Sequence, residues 1–475
     1  LTKLKTNIAY NFAYQLLILL LPLITAPYLA RVVGAEGVGV YSYSYAVATY
    51  FVYFVMLGLN SYGNRTIAAC QDNRVERSRA FWSIFAMQAA CFAVAGGCYL
   101  GYSLLFAGDA TVALLQGLYV LSALFDINWF FFGMERFRLT VVRNTVVKVA
   151  TTVLIFVFVK DSGDVDTYVG IIGGGSLVSQ LALWPFLRRF VDFYLPRFSE
   201  ITPHLRPNAI LFVSVIAISA YNVLSKIMLG SMAGAEAVGF FENAAKIAAV
   251  PVALVGAVGT VMLPRASALI SKGEADRASS HTDKTLRGVM VFTSLAAFGI
   301  PAIASPFTQV FYGPGFEESA RVLAILAATV PLLGFGNVLR TQYLIPNARD
   351  SVFLWSAVCG AVASVALNLL LIPDFGAVGS ACASVGAESA VLIYQVVRVK
   401  GEIPLARYLL HASVFLLIGA AMGAVLAFVP SVGDPLGDVV FRVLVGSIVY
   451  LPLAFLAERT LGRRDGESAK KGMVR

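Results

Sequence analysis

Gly34-Ala35-Glu36-Gly37-Val38-Gly39-Val40-Tyr41 returns as Gly234-Ala235-Glu236-Ala237-Val238-Gly239-Phe240-Phe241, an offset of 200 residues. Both copies sit between long apolar segments, and the register extends outward: Leu29 matches Leu229 and Arg65 matches Arg265. A chain that repeats itself at this distance inside a membrane reads as the product of a half-molecule duplication. Two membrane halves with a site between them is an arrangement common among secondary transporters.

The 475-residue chain is 58% apolar and only 13% charged, whereas a soluble domain is about 25% charged. Apolar stretches of about 20 residues, enough to cross the bilayer core, recur along the whole length. This excludes a soluble multidomain protein. The sequence opens at Leu1 without an initiator Met, so a few residues are expected to precede it. Nothing before Asn7 has the plan of a cleaved signal peptide, and the first apolar segment is long enough to span. The five cysteines (Cys70, Cys91, Cys98, Cys359, Cys382) lie in or beside apolar segments without CxxC spacing. His204, His281 and His411 add no metal constellation, and no cofactor is expected.

The pattern predicts an all-α integral membrane protein of about 14 transmembrane helices. These are placed at roughly 9–31, 38–63, 80–106, 110–134, 139–160, 166–187, 208–232, 237–263, 287–311, 319–345, 351–373, 376–397, 408–430 and 437–457. The organisation expected is two pseudo-symmetric six-helix lobes plus two C-terminal helices. The first lobe covers 1–190, a linker 191–207, the second lobe 208–400, the extra helices 401–460 and a basic tail 461–475. Most of the 36 basic residues fall at the N-terminus, in the even-numbered connections and in the tail, while the opposite loops lean acidic through Asp161, Asp164, Glu317, Glu318 and Asp434. The positive-inside rule then puts both termini in the cytoplasm. The net charge of +9 is accounted for by topology, and no nucleic-acid partner is expected.

An ionisable group inside a membrane helix costs about 2.5–3.5 kcal/mol on insertion scales and is a functional hypothesis by default. Here such groups fall into helical stripes. Asn11 and Gln15 lie on the first helix, which ends near Arg31; Asp126 and Asn128 lie on the fourth; Asn144 and Lys148 on the fifth, with Arg143 nearer the cytoplasm. Asn222 and Lys226 lie on the seventh, Glu242 and Lys246 on the eighth, Asn337 and Arg340 on the tenth, and Glu388 on the twelfth. Two readings stand for most of them. Arg31, Arg143, Arg340 and Lys226 either snorkel to an interface or serve a site. Glu242 and Lys246, at i and i+4, either neutralise each other or bind. Lys148 has no acid on its own helix; Asp126 is its candidate partner or a proton site. Glu388 is either a helix–helix hydrogen bond or an ion-coupling site.

The duplication sharpens the choice. Lys226 aligns with Ala26, Lys246 with Ala46, Glu242 with Ser42 and Arg31 with Ser231. Scaffold features repeat and buried charges do not, which favours an asymmetric ligand. Interior bases outnumber interior acids, so an anionic headgroup is the simplest cargo. The substrate-binding candidates are Asn11, Gln15, Arg31, Lys148, Asn222, Lys226, Lys246 and Arg340. The ion-coupling candidates are Asp126, Glu242 and Glu388.

The run Ile24-Thr25-Ala26-Pro27-Tyr28-Leu29-Ala30-Arg31-Val32-Val33-Gly34, with Asn11 before it and Gly37 to Tyr41 after it, resembles the first two helices of bacterial polysaccharide flippases. These are the Wzx-type polysaccharide transporters of the MOP superfamily. Phe125-Asp126-Ile127-Asn128-Trp129-Phe130-Phe131-Phe132-Gly133-Met134-Glu135 is similar, as are Lys226 to Gly230, Val238 to Ile247 and Met262-Leu263-Pro264-Arg265. Family members often carry an acid before the lysine at 226, where this chain has Ser225. The resemblance implies two six-helix lobes around a central cavity, and translocation of an undecaprenyl-diphosphate-linked oligosaccharide across the inner membrane by alternating access. It implies a polyprenyl-linked glycan and the bilayer as partners, with a polysaccharide polymerase as a further candidate. Coupling to protons, sodium or the membrane potential stays open. The nearest rivals are the same fold carrying lipid II or, as in MATE exporters, an organic cation. An enzyme would need a large outer loop with catalytic groups, and the outer loops here are short. A scaffold or receptor leaves the buried lysines unexplained.

Overall fold

The computed structural model describes residues 20–472, so Asn11 and Gln15 lie outside the described residues; the side chain of Asn222 does as well. Among the described residues the regular structure is helical, apart from one isolated bridge at Lys400 and Ile403. Eleven helical segments are long and apolar enough to cross a membrane. Two of them, α11 (Leu224–Ser271, 48 residues) and α15 (Asp350–Arg398, 49 residues), would each run about 70 Å if straight, against a bilayer core of about 30 Å. Each instead turns back at a glycine in the left-handed region, Gly234 (φ 87°) and Gly376 (φ 52°). Counting their arms separately, with the short first arm of α11 continuing α10 (Phe198–Asn222) as one crossing, and adding α1 (Leu20–Val32), brings the crossings to about fourteen.

The repeat is visible in the backbone. Gly34, at φ 72°, opens α2 (Gly34–Met56) directly after α1, as Gly234 opens the second arm of α11. Only glycine adopts this conformation without a steric cost, which lets each hairpin turn within a residue or two. The two hairpins also interlock reciprocally. A Cβ at Gly39 would stand 1.7 Å from the Ala235 carbonyl oxygen, and one at Gly239 would stand 1.8 Å from that of Ala35.

Several boundaries differ from the hydropathy reading, because hydropathy marks the membrane portion of a helix and not its polar extension. α4 (Arg74–Leu105) begins well before the apolar stretch, where Asn73 caps the Val75 and Glu76 N–H groups. α12 (Ala275–Phe311) begins twelve residues before the expected position, so the link after α11 is only residues 272–274. The expected fourth helix is broken: α5 (Ala110–Leu124) stops before Asp126, and α6 (Asn128–Gly133) restarts after it.

The chain divides into two compact units, residues 1–239 and 240–475. In the first, α5 packs along α8 (Val165–Leu181), α2 packs on α4, α5 and α8, and α10 packs on α3 (Leu59–Ala69) and α4. Its core is aromatic, with Phe81, Trp129, Phe130 and Phe131 fully buried. In the second, α12 is the hub for α13 (Glu317–Leu326), α14 (Thr329–Leu339), α16 (Leu405–Ala427) and α17 (Pro435–Gly472). Arg287 on α12 ties this hub together: it reaches Asp283 at 2.5 Å and Glu458 of α17 at 3.1 Å, while His411 of α16 lies 2.9 Å from Asp283.

Candidate functional site

In the first unit, polar groups gather where α5 breaks. A helix break at membrane depth frees backbone carbonyls that have no water to bond. Gln88 supplies the donors: its amide N–H groups reach the carbonyls of Ala123 (2.6 Å) and Asp126 (3.0 Å), and its oxygen accepts from the Trp129 indole at 3.3 Å. The Trp184 indole donates to the Phe125 carbonyl at 3.1 Å. Asp126 Oδ1 accepts from both the backbone and side-chain N–H of Asn128, at 2.9 and 2.8 Å. Its observed work is therefore to start α6. No ion pair between Asp126 and Lys148 is present among the described residues.

Arg143, on α7 (Phe137–Phe158), faces this break. Its guanidinium donates to Asn128 Oδ1 at 2.5 Å, to Gln180 Oε1 at 3.0 Å and to the Ser179 carbonyl at 2.6 Å. Lys148 lies five residues along α7, about 7.5 Å further into the membrane. It is half-buried, and no hydrogen-bond or ion-pair partner is found for it among the described residues. Arg31 is exposed at the end of α1, and Lys226 is half-buried in the first turn of α11 beside the buried Ser225.

A tyrosine row on α2 runs alongside. Tyr41 stacks on Tyr45 (5.7 Å between centroids) and Tyr45 on Tyr119 (4.8 Å); Tyr41 also meets Tyr168 at 4.5 Å. The sequence signal for it was Tyr41, Tyr43, Tyr45, Tyr50 and Tyr53 within one helix, which an inventory of charges passes over.

In the second unit, Glu242 and Lys246 face each other at 3.9 Å. Between them Asn243 is fully buried, and neither of its amide atoms has a hydrogen-bond partner among the described residues. Asn337 lies over Gly259, its oxygen 2.2 Å from where a Cβ would be. Arg340 opens a π-helical turn, Arg340–Leu344, with its guanidinium 5.5 Å above the Phe353 ring. Such turns are rare and concentrate at functional sites. Glu388, on the second arm of α15, is half-buried, and no partner is found for it among the described residues. The structure thus brings Glu242 to Lys246 and Arg143 to Asn128 and Gln180. Among the described residues, no partner is found for Lys148 in the first unit or for Glu388 in the second.

This is a multi-pass, all-helical membrane protein with the fold of a transporter. Its fold superposes on that of the lipid II flippase MurJ in an inward closed conformation, with a TM-score of 0.78 and 14% identity over 96% of this chain and 99% of that one. An inward-facing multidrug resistance MATE transporter of the MOP superfamily follows at a TM-score of 0.56 and 13% identity, over 86% and 99% of the two chains. The chain belongs to the family described as polysaccharide biosynthesis protein, whose model matches residues 4–270. Its relatives include the "Putative O-antigen transporter" of Escherichia coli K12, 23% identical over 82% of this chain and 94% of that protein. Another is a probable low-salt glycan biosynthesis flippase of Haloferax volcanii, 23% identical over 48% of each chain.

Proposed function

We propose that the protein is a non-catalytic flippase. It moves an undecaprenyl-diphosphate-linked oligosaccharide from the cytoplasmic to the outer leaflet of the inner membrane, by alternating access, for surface polysaccharide synthesis. Lys148 is the observation that carries the reading. A half-buried interior base with no partner found is costly to insert and is suited to a diphosphate, which brings the missing charge. Arg31, Lys226, Lys246 and Arg340 are the further candidates for the headgroup, with Asn11, Gln15 and Asn222 for polar groups of the cargo. The names of the relatives support a glycan-linked substrate, and the family description supports its pathway class. Both termini lie in the cytoplasm by the positive-inside rule. Glu388 is the leading ion-coupling residue, ahead of Glu242, which already has Lys246, and Asp126, which caps α6. The coupling ion is a proton or sodium, or the cycle draws on the membrane potential. A polysaccharide polymerase is the partner that would consume the delivered glycan.

The test is mass spectrometry of lipid-linked sugars in a deletion strain. A diphosphate-linked oligosaccharide should accumulate while surface glycan is lost. Lys148→Ala and Lys246→Ala should each reduce surface polysaccharide without lowering the protein's membrane level. An unchanged lipid-linked pool and normal surface glycan in the deletion strain would refute the function. Normal export in both point variants would refute the assigned site.

A further inference from the structure

The segment Arg188-Arg189-Phe190-Val191-Asp192-Phe193-Tyr194-Leu195-Pro196-Arg197-Phe198 links α9 (Trp184–Leu187) to α10. Three of its large apolar side chains are among the most exposed of the molecule: Phe193 at 78%, Leu195 at 80% and Phe198 at 79%. Exposed apolar groups on the spanning helices are accounted for by the hydrocarbon core. Phe193 and Leu195 precede α10, and Phe198 is its first residue, at the polar end of the helix beside Ser199 and Glu200.

They are also held in place. The Arg74 guanidinium grips Asp192 with two hydrogen bonds, at 2.7 and 2.8 Å. The Asp192 N–H donates to Ser78 Oγ at 3.0 Å, and its carbonyl accepts from the Trp82 indole at 2.9 Å. Arg77 donates twice to the Phe190 carbonyl, at 3.0 and 2.7 Å, and Val191 is buried. The first turns of α4 therefore fix the strap so that Phe193, Leu195 and Phe198 stay outward. Arg188, Arg189 and Arg197 are exposed beside them. The one acid of the segment, Asp192, is held by Arg74, and Glu200 in the first turn of α10 accepts from the Tyr194 hydroxyl (2.8 Å) and the Arg197 N–H (2.7 Å). The surface presented is apolar with a rim of net positive charge, three arginines beside the one carboxylate of Glu200.

We propose that residues 188–198 form an interfacial foot on an anionic phospholipid surface. Phe193, Leu195 and Phe198 enter the boundary between headgroups and acyl chains, and Arg188, Arg189 and Arg197 meet anionic headgroups. An apolar set beside a basic set is the pattern of segments that lie in the membrane interface. Charge complementarity selects lipid as the occupant, because the leaflet on the positive-inside face carries anionic lipid. The foot is independent of the cargo: it stands or falls whatever the protein transports.

The test uses the full chain in nanodiscs, with benzoylphenylalanine at position 195. After illumination in a mixture of phosphatidylglycerol and phosphatidylcholine, intact-mass spectrometry should show a phospholipid adduct, predominantly phosphatidylglycerol. The triple variant Arg188→Gln, Arg189→Gln, Arg197→Gln should lose that preference, by about fivefold per arginine. Raising salt to about 1 M, where screening acts within about 3 Å, should weaken the preference in the unaltered chain, and this keeps the test valid if the triple variant fails to fold. The proposal is overturned by absence of a lipid adduct, by a polypeptide adduct in native membranes, or by a preference that neither salt nor the arginine changes alter.

Discussion

Gly39 and Gly239 show how little room the repeat leaves at single residues. Each faces the backbone oxygen of an alanine in the other hairpin, and a carbonyl cannot swing aside as a side chain would. Gly39→Ala and Gly239→Ala should therefore each destabilise by about 1–3 kcal/mol, the usual cost of overpacking, and by similar amounts because the two contacts are exchanged by the repeat. Melting of the purified protein in detergent measures this, and an unshifted midpoint in either variant contradicts the contact. Lys148 is the opposite case. Its removal takes away a charge with no partner found, so Lys148→Ala should leave the midpoint unchanged or higher while export falls. The two classes of residue separate by which measurement moves.

At the scale of elements, the α5–α6 break and the strap before α10 are both held by side chains of α4. Gln88 serves the carbonyls of Ala123 and Asp126, and Gln88→Leu should strand them at a cost of about 1–3 kcal/mol for each group left unsatisfied. Reduced membrane level and a lower midpoint are the expected readouts; an unaltered midpoint would mean that other groups satisfy the break. The strap depends on charge. The Arg74 hydrogen bonds hold the Asp192 carboxyl below its ordinary range. A depressed carboxylate contributes stability that is fully present above its unfolded value of about 3.9 and lost as pH falls through the folded value. Amide protection at residues 190–193, taken relative to the intrinsic exchange rate at each pH, should therefore be high at neutral pH and fall below about pH 4. Arg74→Gln should lower it at both, and protection indifferent to pH in the unaltered protein would count against the clasp.

For the whole molecule, the Asp283–Arg287–Glu458–His411 cluster joins α12, α16 and α17 within the second unit. Asp283 and Arg287 are both only about 3% exposed. Arg287→Ala leaves Asp283 buried without its closest counter-charge, a change worth about 3–5 kcal/mol in comparable sites. Arg287→Met with Asp283→Leu should be tolerated better, since it removes both charges. Comparison of the two midpoints decides between a structural clamp and an incidental pair.

Much of this architecture could be read in advance. Membrane insertion, the approximate number of crossings and the turns at Gly34 and Gly234 depend on local composition and on the conformations open to a residue without a Cβ, and both are properties of a short stretch of chain. The duplication could be read for the same reason, since it is a comparison of one stretch with another. The site was legible only as a roster of interior charges. Which of them are engaged depends on residues far apart in the chain: Arg143 with Asn128 and Gln180, Gln88 with the carbonyls of a helix that breaks at Asp126. The break itself was invisible to hydropathy, because a window long enough to find a span averages Asp126 and Asn128 with the apolar residues on either side. Packing then separated Asp126, absorbed into a helix start, from Lys148 and Glu388, for which no partner is found among the described residues. Partnership between side chains is set by distance in space, and only the folded chain defines that distance.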